Sequence, residues 1–210
     1  MSLTLILTIA PPLLIVTYII MADRFPEPPS LCISTFLLGC ILCVPAAWLN
    51  SYFISDLNYA YIAGFTEETL KFFAIYFYIS TKTDFDEPMD AVVYGTLISL
   101  GFATLENFQY VYNSNFDNPN FIAILRSFTA IPLHACCGII MGYYFGLYIF
   151  KDRYKLNLLK SLVFAIAFHS AYNYFATRNI FLMFIVLIIL IIFAKKLHKI
   201  LKTKQLSLQN

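Results

Sequence analysis

Long apolar runs, each near the length of a bilayer crossing, follow one another through almost the whole chain, and this constrains the fold more than any other feature. A membrane-spanning helix needs about 20 mainly apolar residues. Runs of that kind fall at 2–21, 31–53, 59–80, 90–112, 121–150, 160–177 and 180–195. Charged residues make up only 12% of the chain and apolar ones 60%, against about 25% charged in a soluble domain. So few charges cannot cover a water-facing surface, so lipid must solvate most of this one. The expected fold is all-α, a polytopic membrane helix bundle of about seven transmembrane helices in a single domain over 1–210, with a basic tail over 195–210. The cell membrane is the expected location, with the lipid bilayer as a partner. No nucleic-acid partner is expected.

Turn chemistry separates the runs: Phe25-Pro26-Glu27-Pro28-Pro29, then Asp84-Phe85-Asp86-Glu87-Pro88, then 113–120 with Pro119. Asp90 is placed to cap the fourth helix. The fifth run is overlong, and its span is expected to begin nearer Arg126. Only Arg178-Asn179 divides the last two, which predicts a tight helical hairpin. The first run has no basic residue before it and no cleavage signature after it, so it reads as a retained helix rather than a signal peptide. The five cysteines, Cys32, Cys40, Cys43, Cys136 and Cys137, all lie inside apolar runs and read as packing residues.

Lysine and arginine favour the cytoplasmic side. They occupy the first, third and fifth connections (Arg24; Lys82; Lys151, Arg153, Lys155 and Lys160) and the C-terminal tail. The second and fourth connections have none, and the sixth has Arg178 alone. The N-terminus is therefore expected outside and the C-terminus in the cytoplasm, as an odd number of spans requires. His198 in the tail reads as a surface residue near lipid headgroups. Gly138, Gly142 and Gly146 recur along the fifth helix, and Gly95, Ser99 and Ala103 along the fourth. Both stripes predict seams where helices approach closely.

Against this background the informative residues are those that lipid should exclude: Glu67, Glu68, Lys71, Glu106, His134 and His169, with Arg126 near a helix end. Each costs about 2.5–3.5 kcal/mol at a helix centre on insertion scales. At about 1.5 Å per residue, Glu67 lies ~12 Å from Tyr59, Glu106 ~9 Å from Tyr112, His134 ~12 Å from Arg126 and His169 ~12 Å from Thr177. Four helices of alternating direction thus put their polar groups in one layer, the outer half of the membrane.

Spacing adds detail. Lys71 reaches either Glu67 or Glu68 along one helix face. His169 and Asn173 share a face, while Asn107 points about 100° away from Glu106. Structural readings exist for each residue singly. Glu68 with Lys71 neutralises charge, a lone histidine bonds a neighbouring helix, and Arg126 snorkels. Two carboxylates and two histidines at one depth are harder to assign to separate causes.

Such a set supports hydrolysis by two routes. With a metal, His134, His169 and a glutamate fill three positions of a tetrahedral zinc site, and a second glutamate acts as base. Without one, a buried glutamate activates water while the histidines and Asn173 polarise the substrate carbonyl and its oxyanion. No HExxH motif chooses between them.

At these same residues the chain resembles the PrsW family of intramembrane proteases, relatives of the type II CAAX prenyl proteases and bacteriocin-processing enzymes. Glu67-Glu68-Thr69-Leu70-Lys71 matches the family's EExxK, and Phe102-Ala103-Thr104-Leu105-Glu106-Asn107 its FxxxEN. His134 matches the next motif, and His169-Ser170-Ala171-Tyr172-Asn173 the HxxxN-like last one. Asp86-Glu87-Pro88-Met89-Asp90 resembles the loop before the second motif. The resemblance covers about 60–173, the expected catalytic core. It implies an endopeptidase, grouped with metalloproteases, that makes the first cut in membrane-anchored anti-sigma factors on the extracytoplasmic side. It implies Glu67 as base with Glu68 in support, and Glu106, His134 and His169 as zinc ligands or carbonyl polarisers. Asn173 is then the oxyanion donor, with Lys71, Asn107 and Arg126 supporting. The expected partner is a membrane protein or peptide substrate. Two other readings share the composition: a transporter or channel with an intramembrane polar site, and a catalytically silent scaffold of the same fold.

Overall fold

The computed structural model describes residues 3–113 and 118–207. Ser2 at the start of the first expected span, the middle of the fourth connection and the last three tail residues lie outside that range. Among the described residues eight α-helices follow in chain order: α1 (Leu3–Ala22), α2 (Pro29–Phe53), α3 (Ile62–Phe77), α4 (Pro88–Tyr112), α5 (Pro119–Phe128), α6 (Ala130–Leu147), α7 (Lys155–Ala176) and α8 (Ile180–Ser207).

Their starts follow local chemistry. Proline sits in the first turn of α2, α4 and α5, where its missing N–H costs nothing and its fixed φ suits a helix. Glu87, not Asp90, is the N-cap of α4. Asp90 reaches back to accept from the Asp86 and Glu87 amides at 2.8 and 2.7 Å, which completes a capping box. Asn118 caps α5 through the Phe121 amide. Asn179 caps α8 through the Phe181 and Leu182 amides, and this closes the predicted α7–α8 hairpin.

Three boundaries differ from the hydropathy reading. The overlong fifth run breaks at Thr129, whose backbone (φ −122°, ψ −75°) is not helical, and α5 becomes a separate short amphipathic helix. α3 is shorter than its run and is flanked by 3-10 turns at Leu57–Tyr59 and Ile79–Thr81. The tail is no loose basic segment, because α8 continues through it to Ser207. One face of that extension, Leu197, His198, Leu201 and Gln205, packs inward. His198 is therefore buried, its ring edge-on to Tyr18, because an unbroken helix carries it onto α1.

Among the described residues, five helical stretches are long and apolar enough to cross a membrane: α1, α2, α4, the 119–152 stretch that takes in α5 and α6, and α8. α4 is the axis of the bundle and is buried along most of its length. It packs against α6 and α2, with α1 alongside, while α7 lies between α3, α6 and α8. Outward stripes such as Ile33, Leu37, Ile41 and Val44 on α2 and Ile185, Ile188, Ile189 and Ile192 on α8 are exposed, as lipid contact requires.

The glycine stripes form the α4–α6 seam. A Cβ at Gly138 would lie 2.6 Å from the Gly95 carbonyl oxygen, and one at Gly142 would run into the Ala91 carbonyl. Gly142→Ala is therefore expected to cost about 1–3 kcal/mol, as overpacking does in a filled core. A detergent unfolding titration measures this; an unmoved midpoint would contradict a close-packed seam.

Candidate active site

The site begins on α3, where one helical turn presents Glu67, Glu68 and Lys71 to the bundle interior, all buried. Lys71 Nζ lies 2.7 Å from Glu68 Oε1 and 3.9 Å from Glu67 Oε2. Its third neighbour is His134 Nδ1, at 2.9 Å on α6, and the Phe102 ring of α4 covers it at 4.1 Å. An ammonium wholly removed from water needs such partners, since an unpaired buried charge is strongly destabilising.

Close helix approach carries the histidines to these carboxylates. A Cβ at Gly64 would lie 2.5 Å from the Ser170 amide nitrogen, so α3 and α7 nearly touch one residue from His169. His169 Nδ1 then meets Glu68 Oε1 at 2.8 Å, leaving Nε2 3.9 Å from Glu67 Oε2. Gly138 lies about one turn beyond His134 on the α4–α6 seam, and its closeness to α4 brings His134 Nε2 to Glu106 Oε2 at 3.1 Å. The two imidazoles meet edge to face, centroids 4.9 Å apart.

Glu106 is closed on its other side by Arg126, which pairs with it through Nη2. Arg126 also donates from Nε to Asn107 Oδ1 at 2.7 Å and stacks on Tyr110 at 4.1 Å. Asn107 in turn donates to the Thr8 carbonyl of α1. Arg126 is therefore built into the site rather than snorkelling.

Glu67, Glu106, Arg126, His134, His169 and Asn173 all line a cavity of about 710 Å³. Its wall takes in the C-terminal ends of α2, α4 and α7 and residues of the 54–60 connection. Asn173 donates one amide hydrogen to the Ala60 carbonyl at 3.3 Å, which leaves its second for the cavity.

Among the cavity residues that the sequence reading did not single out are Asn50 and Tyr172. Asn50, near the end of α2, donates to Glu67 Oε1 at 3.1 Å, and Tyr172 of α7 is part of the wall. Asn50 did carry a signal, as an amide in an apolar run at the same end of the bundle. Tyr172 carried none, because tyrosine is common throughout this chain.

Glu67, His134 and His169 bring donor atoms within 4.8 Å of one another, the spacing of a shared ion. Two of the three suit a metal. Among the described residues Glu67 Oε2 is buried without a hydrogen-bond partner, and His169 is oriented by Glu68 as a ligating imidazole is by its outer carboxylate. His134 does not suit one. With its Nδ1 against the Lys71 ammonium, the ring proton belongs on Nε2, facing Glu106. Neither nitrogen then offers a lone pair, so zinc does not fit this hydrogen-bonded arrangement. Glu106 is outside the trio and engaged with Arg126.

Fold and site together define a class: a polytopic helical membrane protein with carboxylates and imidazoles gathered around a cavity inside the bundle. Comparison with known proteins then supplies the family. The profile described as "PrsW family intramembrane metalloprotease" matches residues 27–195, and the chain belongs to this family. Protease PrsW of Oceanobacillus iheyensis is 34% identical over 79% of this chain and 79% of its own length. Protease PrsW of Bacillus subtilis is 32% identical over 80% of each, and that of Clostridioides difficile 28% over 92% and 87%. No solved structure gives a significant match. The protein is thus a membrane-embedded protease, which sets the transporter reading aside.

Proposed function

We propose that this protease cleaves membrane-anchored proteins near the extracytoplasmic face, with Glu67 as the base that activates water. One observation carries the reading. Glu67 Oε2, buried in the cavity wall, has no hydrogen-bond partner among the described residues and faces His169 Nε2 at 3.9 Å. That gap is too long for a hydrogen bond and suits a bridging water. Glu67 takes a proton from this water as its oxygen adds to the scissile carbonyl carbon, then passes that proton to the departing amine as the C–N bond breaks. Glu68 holds the His169 ring, as the carboxylate of a hydrolytic triad holds its histidine. The second amide hydrogen of Asn173 polarises the carbonyl and receives the developing oxyanion. His169, its Nδ1–H given to Glu68, turns its Nε2 lone pair to the water, and His134 links Lys71 to Glu106. Lys71 balances the paired glutamates, and Arg126 with Asn107 fixes Glu106 behind His134.

α3 and α7 complete seven crossings, with the N-terminus outside and the C-terminus in the cytoplasm, in one domain whose core is 60–173. The cavity then lies on the side whose connections lack lysine, which supports extracytoplasmic cleavage. Single-span proteins are the substrate class, anti-sigma factors among them.

Purified protein in detergent is expected to cut a single-span test substrate at its extracytoplasmic boundary, and His169→Ala to abolish the cut while helix content is kept. Full activity in that variant would end this reading. The clustering of three donor atoms favours a second reading, catalysis with zinc. Metal analysis with and without a chelator separates them. Activity that survives chelation is expected; zinc and activity lost together would replace the metal-free route.

A further inference from the structure

Glu67 can serve as a base only while its carboxylate stays off Lys71. The two groups sit on one face of α3, with Nζ 3.9 Å from Oε2. A modest rotation would close them into a contact ion pair, whose charge-assisted hydrogen bonds run at about 2.7–2.9 Å. Lys71 is held on its own side by Glu68 and His134. On the Glu67 side, Oε1 accepts from Asn50 Nδ2 at 3.1 Å. This bond comes from α2, across the cavity wall and away from Lys71.

The amide itself is oriented. Its Oδ1 accepts from the Thr66 hydroxyl, and facing that oxygen to a carboxylate would be repulsive. The NH₂ group must therefore point to Glu67. We propose that Asn50 is a positioning residue for the catalytic base: it anchors one Glu67 oxygen from α2, so that the other remains directed at His169 and the water between them. Asn50 bonds Glu67 Oε1, not the oxygen that faces His169. It acts through Glu67, and the inference rests on Glu67 being the base.

Supporting groups of this kind typically contribute about 10–100-fold to activity, because a site loosened by an ångström loses its productive geometry. The test uses the full-length protein in detergent with a single-span substrate, comparing Asn50→Asp, Asn50→Leu and Asn50→Gln. Asn50→Asp keeps the shape and removes the donor; Asn50→Leu removes the donor without adding charge. Both are expected to lower kcat by about 10–100-fold with KM little changed, and Asn50→Gln to recover part of the loss.

Wild-type kcat in the Asp and Leu variants would overturn the inference. So would a loss confined to KM, or a loss that follows unfolding by circular dichroism in both. Glu67→Gln assayed in parallel keeps the two ideas apart. Activity surviving in that variant removes the base assignment itself. An inactive Glu67→Gln beside fully active Asn50 variants removes only the positioning role.

Discussion

Glu67→Gln is expected to lower turnover of a single-span substrate by about 10²–10⁴-fold, the usual contribution of a positioned general base, while leaving the fold intact. Glutamine has the size of glutamate, and its amide oxygen can still accept from Asn50. What it loses is basicity at the atom facing His169, where Oε2 has no hydrogen-bond partner among the described residues to forfeit. The fall should therefore appear in kcat, with helix content and unfolding midpoint close to those of the parent. Initial rates on a purified single-span substrate measure it. Near-parental turnover would remove Glu67 from the reaction and leave the cavity without an assigned base.

Lys71→Met is expected to be the most damaging single change to stability. The ammonium has no exposed surface and stands between Glu68 at 2.7 Å and His134 at 2.9 Å. Methionine fills much of the same volume but leaves two buried glutamates with no ammonium beside them. Removing one partner of a buried ion pair costs about 3–5 kcal/mol. Removing both should cost less, so Lys71→Met with Glu68→Gln is expected to recover part of the loss. Unfolding midpoints of the parent, the two single variants and the double variant close the cycle. A Lys71→Met protein as stable as the parent would mean that the glutamates do not depend on this cation.

The candidate site was legible in sequence to an unusual degree because a bilayer makes polar residues conspicuous. Glu67, Glu106, His134 and His169 stood out as groups that lipid excludes, and the constant rise of a helix put them at one level. Asn50 obeyed the same logic but is uncharged and less costly in lipid, so it attracted no notice. The contacts themselves were another matter. That Lys71 serves Glu68 and His134 while standing off Glu67, and that Arg126 closes on Glu106, depends on which way each helix is rotated about its axis. The zinc expectation turned on this too, since the Lys71–His134 contact decides which imidazole nitrogen carries the proton.

The same division runs through the fold. Arg126 marked the overlong run as divided, and the break falls three residues on, at Thr129, because hydropathy cannot see the backbone angle that sets the exact position. His198 sits among lysines and read as a headgroup neighbour, yet α8 continues without interruption and turns it onto Tyr18. By itself the sequence determined the solvent, most of the turns and the small-residue seams, because these follow from local chemistry. Only the tertiary structure decided helix rotation and partner choice. Those depend on how glycine seams such as Gly64 against Ser170 and Gly142 against Ala91 let distant backbones meet, and no local pattern encodes that.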